Sequence, residues 1–147
     1  MAAACCLAAM FFGCSKSSGD ENPAAAPLVG EWRLDAWNDE LVTDFSIYLK
    51  LEASGRFELY QQLEHGYYER FDGRYSADGG VLTGVYSDGE PWQRYDYALE
   101  SNGARLVLTA QGGDRIRSVY VKTSIPSDIV VVEPSAALTA SSRRRIF

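Results

Sequence analysis

The chain has 147 residues, 46% of them hydrophobic and 23% charged, with a formal net charge of -6. That length suits one domain with a core of its own, and that composition is ordinary for a globular chain, which argues against disorder for its bulk. Excess negative charge repels phosphate backbones, so nucleic acid is not an expected partner.

Residues 2–13 carry no charge and end in Phe11, Phe12 and Gly13 before Cys14 and a polar stretch beginning Ser15, Lys16, Ser17. An apolar run, a small residue, a cysteine and a polar tether together resemble a bacterial lipoprotein signal. The resemblance implies that Cys14 becomes the first mature residue and carries the lipid. A cleaved secretory signal is the alternative; a spanning helix is disfavoured, since it needs about 20 apolar residues. All three cysteines (Cys5, Cys6 and Cys14) lie in this leader, so the rest of the chain holds no disulfide and no thiolate metal site. Residues 15–27, rich in Ser, Ala, Gly and Pro, read as a flexible tether.

From residue 28 the apolar pattern has period two, the signature of half-buried strands. In 28–37, Trp32, Leu34 and Ala36 share a face opposite Arg33 and Asp35, which places Trp37 in the outward phase. Phe45, Ile47, Leu49 and Leu51 alternate with Ser46, Tyr48, Lys50 and Glu52. After a turn at Gly55, Phe57, Leu59 and Leu63 share a face, with Gln61 in the same phase. Tyr67, Phe71 and Tyr75 are in phase in the next strand, as is Glu69. A strand over 81–86 follows Gly79 and Gly80 and ends in Tyr86. Residues 92–100 place Tyr95, Tyr97 and Leu99 together. Asn102 and Gly103 then read as a two-residue type I′ hairpin, leading to Leu106 and Leu108. For the last strand, 115–123, either Tyr120 or the Val119 and Val121 pair could face inward.

These are eight candidate strands joined by tight turns with no helical period between them. Consecutive hairpins give an antiparallel meander, and closure removes its unpaired edges. The fold expected is therefore an all-β, up-and-down eight-stranded barrel or half-barrel over 28–128. Residues 129–147 read as an extended or disordered tail, within which 129–132 could pair with the barrel and Arg143, Arg144 and Arg145 would be solvated. A membrane-spanning barrel would need an apolar outer band; Lys50, Glu52, Glu58, Arg70, Asp72 and Arg74 occupy that face instead.

Catalytic chemistry has little to stand on. The single histidine, His65, lies in a turn, and no nucleophile–base set or metal cluster can be assembled around it, so neither an enzyme nor a cofactor is expected. The inward set is more informative. Phe57, Gln61, Tyr67, Glu69, Phe71, Tyr75, Tyr86, Tyr95 and Tyr97 converge inside a closed barrel, whose eight-stranded interior either fills with side chains or holds one small ligand. Buried tyrosine hydroxyls want partners, and an inward Glu69 needs a cavity, a ligand or a basic neighbour.

Gly30, Glu31 and Trp32 form the G-x-W pattern of lipocalins, where the Trp plugs the closed end and a basic residue stacks on it; Lys122 is the nearest candidate. The lipid-type Cys14, the Pro/Ala tether, L-V-G-E-W, the G-R-F and G-x-Y strand openings and L-T-G-V-Y-S-D-G are similar to lipocalin-like lipoproteins of Bacteroides-type Gram-negative bacteria. The resemblance covers residues 28–128 and implies an outer-membrane, cell-envelope lipoprotein, monomeric, whose barrel takes a small hydrophobic or amphipathic ligand. The competing reading is an interaction module with a filled barrel that recognises a protein or glycan with its outer face or rim. An open cavity lined by Tyr67, Tyr75, Tyr95 and Tyr97 would favour the first, a filled interior the second.

Overall fold

The computed structural model describes residues 25–63, 66–132 and 145–147. The leader with Cys14, most of the tether, His65, Arg143 and Arg144 lie outside them. A 3₁₀ turn, Ala26–Leu28, leads into β1 (Gly30–Trp37), β2 (Glu40–Leu41), β3 (Ser46–Leu51), β4 (Arg56–Gln62), β5 (Tyr68–Asp78), β6 (Val81–Tyr86), β7 (Tyr95–Glu100), β8 (Arg105–Ala110), β9 (Arg117–Lys122) and β10 (Val131–Val132). β1 and β3 to β9 form a closed antiparallel barrel of eight strands, as the period-two pattern predicts. β2 only extends a hairpin from β1, and β10 adds a short parallel pairing to Tyr68 and Glu69 of β5.

Closure rests on β5. Its residues 69–74 pair with β4 and its residues 73–78 pair with β6, so one long strand serves both neighbours. β6 meets β7 only at its start, Val81 opposite Asp96 and Leu82 opposite Tyr95. Beyond Leu82 the two strands diverge, and the connection after β6 folds back to fill the gap. There Val85 bridges Pro91, and the Trp92 N–H donates to the Gly84 carbonyl at 2.7 Å.

Short turns close one end of the barrel, where Trp32 sits fully buried beneath the 3₁₀ turn. Its indole N–H donates to the Leu28 carbonyl at 2.9 Å, which satisfies the one polar atom the ring brings inside. Lys122 Nζ lies 5.3 Å from the centre of the same ring. Gly30 adopts φ +143°, and a Cβ there would stand 2.9 Å from Lys122 Cε. The glycine thus lets the lysine stem reach the tryptophan, a cation–π contact on the outside of the plug.

Two details of the strand reading are corrected, and a third that was open is decided. A register shift between Leu34 and Ala36 bulges β1 at Asp35, so Trp37 falls opposite the buried Ser118 and packs against the core instead of pointing outward. The Asn102 and Gly103 hairpin is a longer connection, with positive φ at Ser101, Asn102 and Gly103 and the strands rejoining at Glu100 and Arg105. In β9, Tyr120 is fully buried in the core cluster, while Val119 is buried outside that cluster against its cross-strand partner Val107.

The outer face is charged as expected. Glu58 takes Lys50 at 3.2 Å and Arg70 at 3.4 Å from neighbouring strands, and Lys50 also reaches Glu52 at 3.2 Å. These groups are partly solvated, and such pairs add little individually. Stability resides in the interior. Trp32→Ala is expected to cost about 3–5 kcal/mol and Trp37→Ala clearly less, because Trp37 is only partly buried. Equilibrium urea unfolding of the two variants checks the order, and a larger loss at Trp37 would contradict the assignment of Trp32 as the fully buried plug.

Candidate functional site

The barrel interior is a column of aromatic rings, and two glycines make room for it. Gly84 lies in the inward phase of β6, where a Cβ would come within 2.4 Å of the Trp92 ring. At Gly73 on β5 a Cβ would stand 2.7 Å from Phe57 and 2.2 Å from the Val85 carbonyl. With both side chains absent, Phe57 and Trp92 approach to 4.4 Å between ring centres. Tyr86 meets Phe57 edge-on at 5.4 Å and Phe71 at 6.1 Å.

Of the inward residues predicted, Phe57, Gln61, Phe71, Tyr75, Tyr86 and Tyr95 are buried. Tyr97 keeps the inward phase but is half-buried. Tyr67 stands just ahead of β5, and Glu69 at its start, opposite Gln61; both are half-buried at the end of the barrel away from Trp32. Tyr75 does not face an open pocket: its hydroxyl donates to the Glu52 carbonyl at 2.8 Å and ties β5 to the turn after β3. The four tyrosines Tyr67, Tyr75, Tyr95 and Tyr97 therefore do not line one cavity.

The site that does form joins Phe71, Tyr86 and Tyr95 of the predicted inward set to Trp92, Asp88, Arg145 and Phe147, to which the pattern assigned no inward role. Residues 145–147 return to the barrel and pack on its core, unlike the extended or disordered tail expected for 129–147. The Phe147 ring stacks on Trp92 at 4.6 Å and 19°, lies parallel to Tyr120 at 6.3 Å and 15°, and meets Tyr95 edge-on at 5.6 Å. The Arg145 guanidinium sits 4.3 Å from the Tyr86 ring centre and 5.2 Å from that of Phe71. It also pairs with both carboxylate oxygens of Asp88, in the connection after β6. Only 8% of the Arg145 side chain is exposed. Burying a cation is costly unless it is paired, and here one carboxylate and two ring faces supply the compensation.

Sequence reasoning missed Trp92 because it placed the residue in a strand over 92–100, out of phase with Tyr95 and Tyr97, whereas β7 starts at Tyr95 and Trp92 lies in the connection before it. The available signal was Gly84, a gap in the inward phase of β6. Arg145 and Phe147 left no periodic signal at all.

Beside the Phe147 ring, the buried Trp92 Nε1 and Tyr120 hydroxyl have no hydrogen-bond partner among the described residues. Burial pushes the Tyr120 and Tyr86 phenols well above their usual range, with the nearby Arg145 charge opposing the effect at Tyr86. Burial likewise raises Tyr95, and burial with the Glu52 charge raises Tyr75, each to about 12. Among the described residues no cluster of His, Cys, Asp or Glu could hold a metal ion, and no helix is long and apolar enough to cross a membrane.

A closed eight-stranded barrel, plugged at one end by a tryptophan with a cation on its outer face and lined with aromatic rings, is the architecture of a lipocalin-type protein. The chain belongs to the lipocalin-like domain family, whose pattern it matches over residues 28–124. A lipocalin-like protein from Bacteroides uniformis has a similar fold, with a TM-score of 0.53 at 17% identity, over 66% of this chain and 99% of that one. A protein from Bacteroides eggerthii aligns at a TM-score of 0.49 and 16% identity, over 65% of this chain and 98% of that one. Among functionally curated proteins none is significantly similar to this chain.

The phenol shifts set an alkaline limit on stability. In the unfolded chain tyrosines ionise near pH ~10, whereas folded Tyr75 and Tyr95 hold their protons to about 12. Their contribution is complete below pH ~10 and is lost as pH rises through the folded value. Melting temperature should therefore fall between about pH 10 and 12, in step with tyrosinate absorbance, and less steeply in Tyr95→Phe. A flat profile would show that these hydroxyls are solvated.

Proposed function

We propose that this protein binds, without catalysis, a small and partly apolar molecule inside the barrel. The single observation that carries the reading is the aromatic slot of Trp92, Tyr95 and Tyr120, which receives the Phe147 ring as a guest from a separate part of the chain. Strands of the barrel position every wall of that slot except Trp92, which the β6–β7 gap draws inward. Trp92 Nε1 and the Tyr120 hydroxyl supply a donor and a donor–acceptor to a ligand that carries polar atoms.

The neutral fluorophore 1-aminoanthracene tests this. It should bind the folded protein at one saturable site and quench tryptophan emission, with tighter binding to Phe147→Ala than to the wild type. A second reading, an interaction module that uses its rim or outer face, is favoured by the filled interior. Absence of saturable probe binding to both folded proteins would decide for it.

We also propose that the barrel is tethered at the cell envelope, in the outer membrane, through a lipid on Cys14. The apolar run over 2–13 and the polar stretch after it support this placement. In the native cell, membrane-extracted protein should carry a diacylglyceryl-sized adduct on Cys14, and Cys14→Ser should move to the soluble fraction. A Cys14→Ser protein that still fractionates with membranes would overturn the anchor.

A further inference from the structure

The pocket around residues 145–147 has two subsites of different chemistry. Trp92, Tyr95 and Tyr120 enclose a flat ring, while Asp88, Tyr86 and Phe71 enclose a cation. We propose that this pocket recognises a cation joined through a short spacer to an aromatic ring, the chemistry of a basic–x–aromatic peptide segment, and that residues 145–147 are its occupant supplied by the same chain. The inference rests on the reading of the barrel as a ligand binder and names the class of ligand.

The cation subsite is built without help from Arg145. Asp88 Oδ1 accepts the Glu90 N–H at 3.2 Å, so the carboxylate is oriented by its own turn. The Tyr86 and Phe71 rings are fixed by barrel packing, edge to face with each other. Their faces present negative potential to whatever lies over them. An arginine is ordinarily solvated unless paired; only 8% of this side chain is exposed, and the compensation comes from the pocket. An acidic guest would meet the Asp88 carboxylate and the chain's net charge of -6. A guest without a ring would leave the Trp92 and Tyr120 faces uncovered. Because Arg145 and Phe147 belong to the same chain, they occupy both subsites intramolecularly and must be displaced before an external ligand enters.

The full chain and its Arg145→Ala/Phe147→Ala double variant can be titrated calorimetrically with acetylated, amidated tripeptides. Arg-Ile-Phe is the test peptide; Glu-Ile-Phe and Arg-Ile-Ala are the controls. The double variant should bind the test peptide one to one, at least about tenfold tighter than either control and about tenfold tighter than the wild type does. Adding Asp88→Asn should bring the preference for Arg over Glu near unity. If the double variant binds 1-aminoanthracene but does not distinguish the three peptides, the ligand class is wrong while the barrel remains a ligand binder. Binding of neither probe nor peptide would overturn both. Should the double variant lose cooperative unfolding, Arg145→Gln decides: test-peptide affinity no greater than that of the wild type would refute occupation by residues 145–147.

Discussion

The arrangement depends on two missing side chains. Gly73 and Gly84 face inward on adjacent strands at positions where the period-two pattern would otherwise place a bulky residue. A methyl group at either would overlap a ring or a backbone atom by far more than packing tolerates. Their absence lets Phe57 and Trp92 come together in the barrel, and Trp92 in turn forms the wall on which Phe147 stacks. Without Gly84 the connection after β6 could not lay its tryptophan inside, and the slot would lose one side.

The same constraint explains where charge is found. Outside, Lys50, Glu52, Glu58 and Arg70 form a partly solvated ladder across β3, β4 and β5 that keeps the barrel surface polar. Inside, a buried cation is held at the end remote from Trp32, where the β6–β7 connection brings Asp88 beside the Tyr86 and Phe71 rings. At the opposite end Lys122 touches Trp32 from without, its side chain largely solvated. The two cations therefore differ in kind: Lys122 covers a plug from the solvent side, while Arg145 belongs to a desolvated pocket, where cation–π contacts are strongest.

Filling of the interior does not by itself separate a ligand-binding barrel from a packed one. What separates them is the origin of the filling groups. Phe57, Phe71, Tyr86, Tyr95 and Tyr120 come from barrel strands and cannot leave without unfolding it. Phe147 and Arg145 come from outside the strands, held by ring contacts, by the Tyr86 and Phe71 faces under the guanidinium and by the ion pair with Asp88. On the proposed reading, groups held that way are exchanged for a ligand by local opening, without global unfolding.

The strand count, the antiparallel closure, the Gly30, Trp32 and Lys122 plug and most of the inward aromatics were legible in the sequence. The plug was legible through its resemblance to the lipocalin pattern, and the rest is encoded locally: alternation of apolar and polar residues determines which face of a strand is buried, and Gly-rich pairs mark the turns. Local signals fail where pairing becomes irregular. The bulge at Asp35, which turns Trp37 inward, depends on the register of β9 against β1 and leaves no mark in the order of residues. Trp92 owes its place to the divergence of β6 from β7, Tyr120 to the pairing of β9, and residues 145–147 to a pocket assembled from strands distant in sequence. The sequence by itself determined a barrel with an aromatic interior, because periodicity is a property of neighbours. Only the tertiary structure decided what that interior holds, because the walls of the slot come from residues 92, 95 and 120 and its guest from residue 147, and no local pattern relates them.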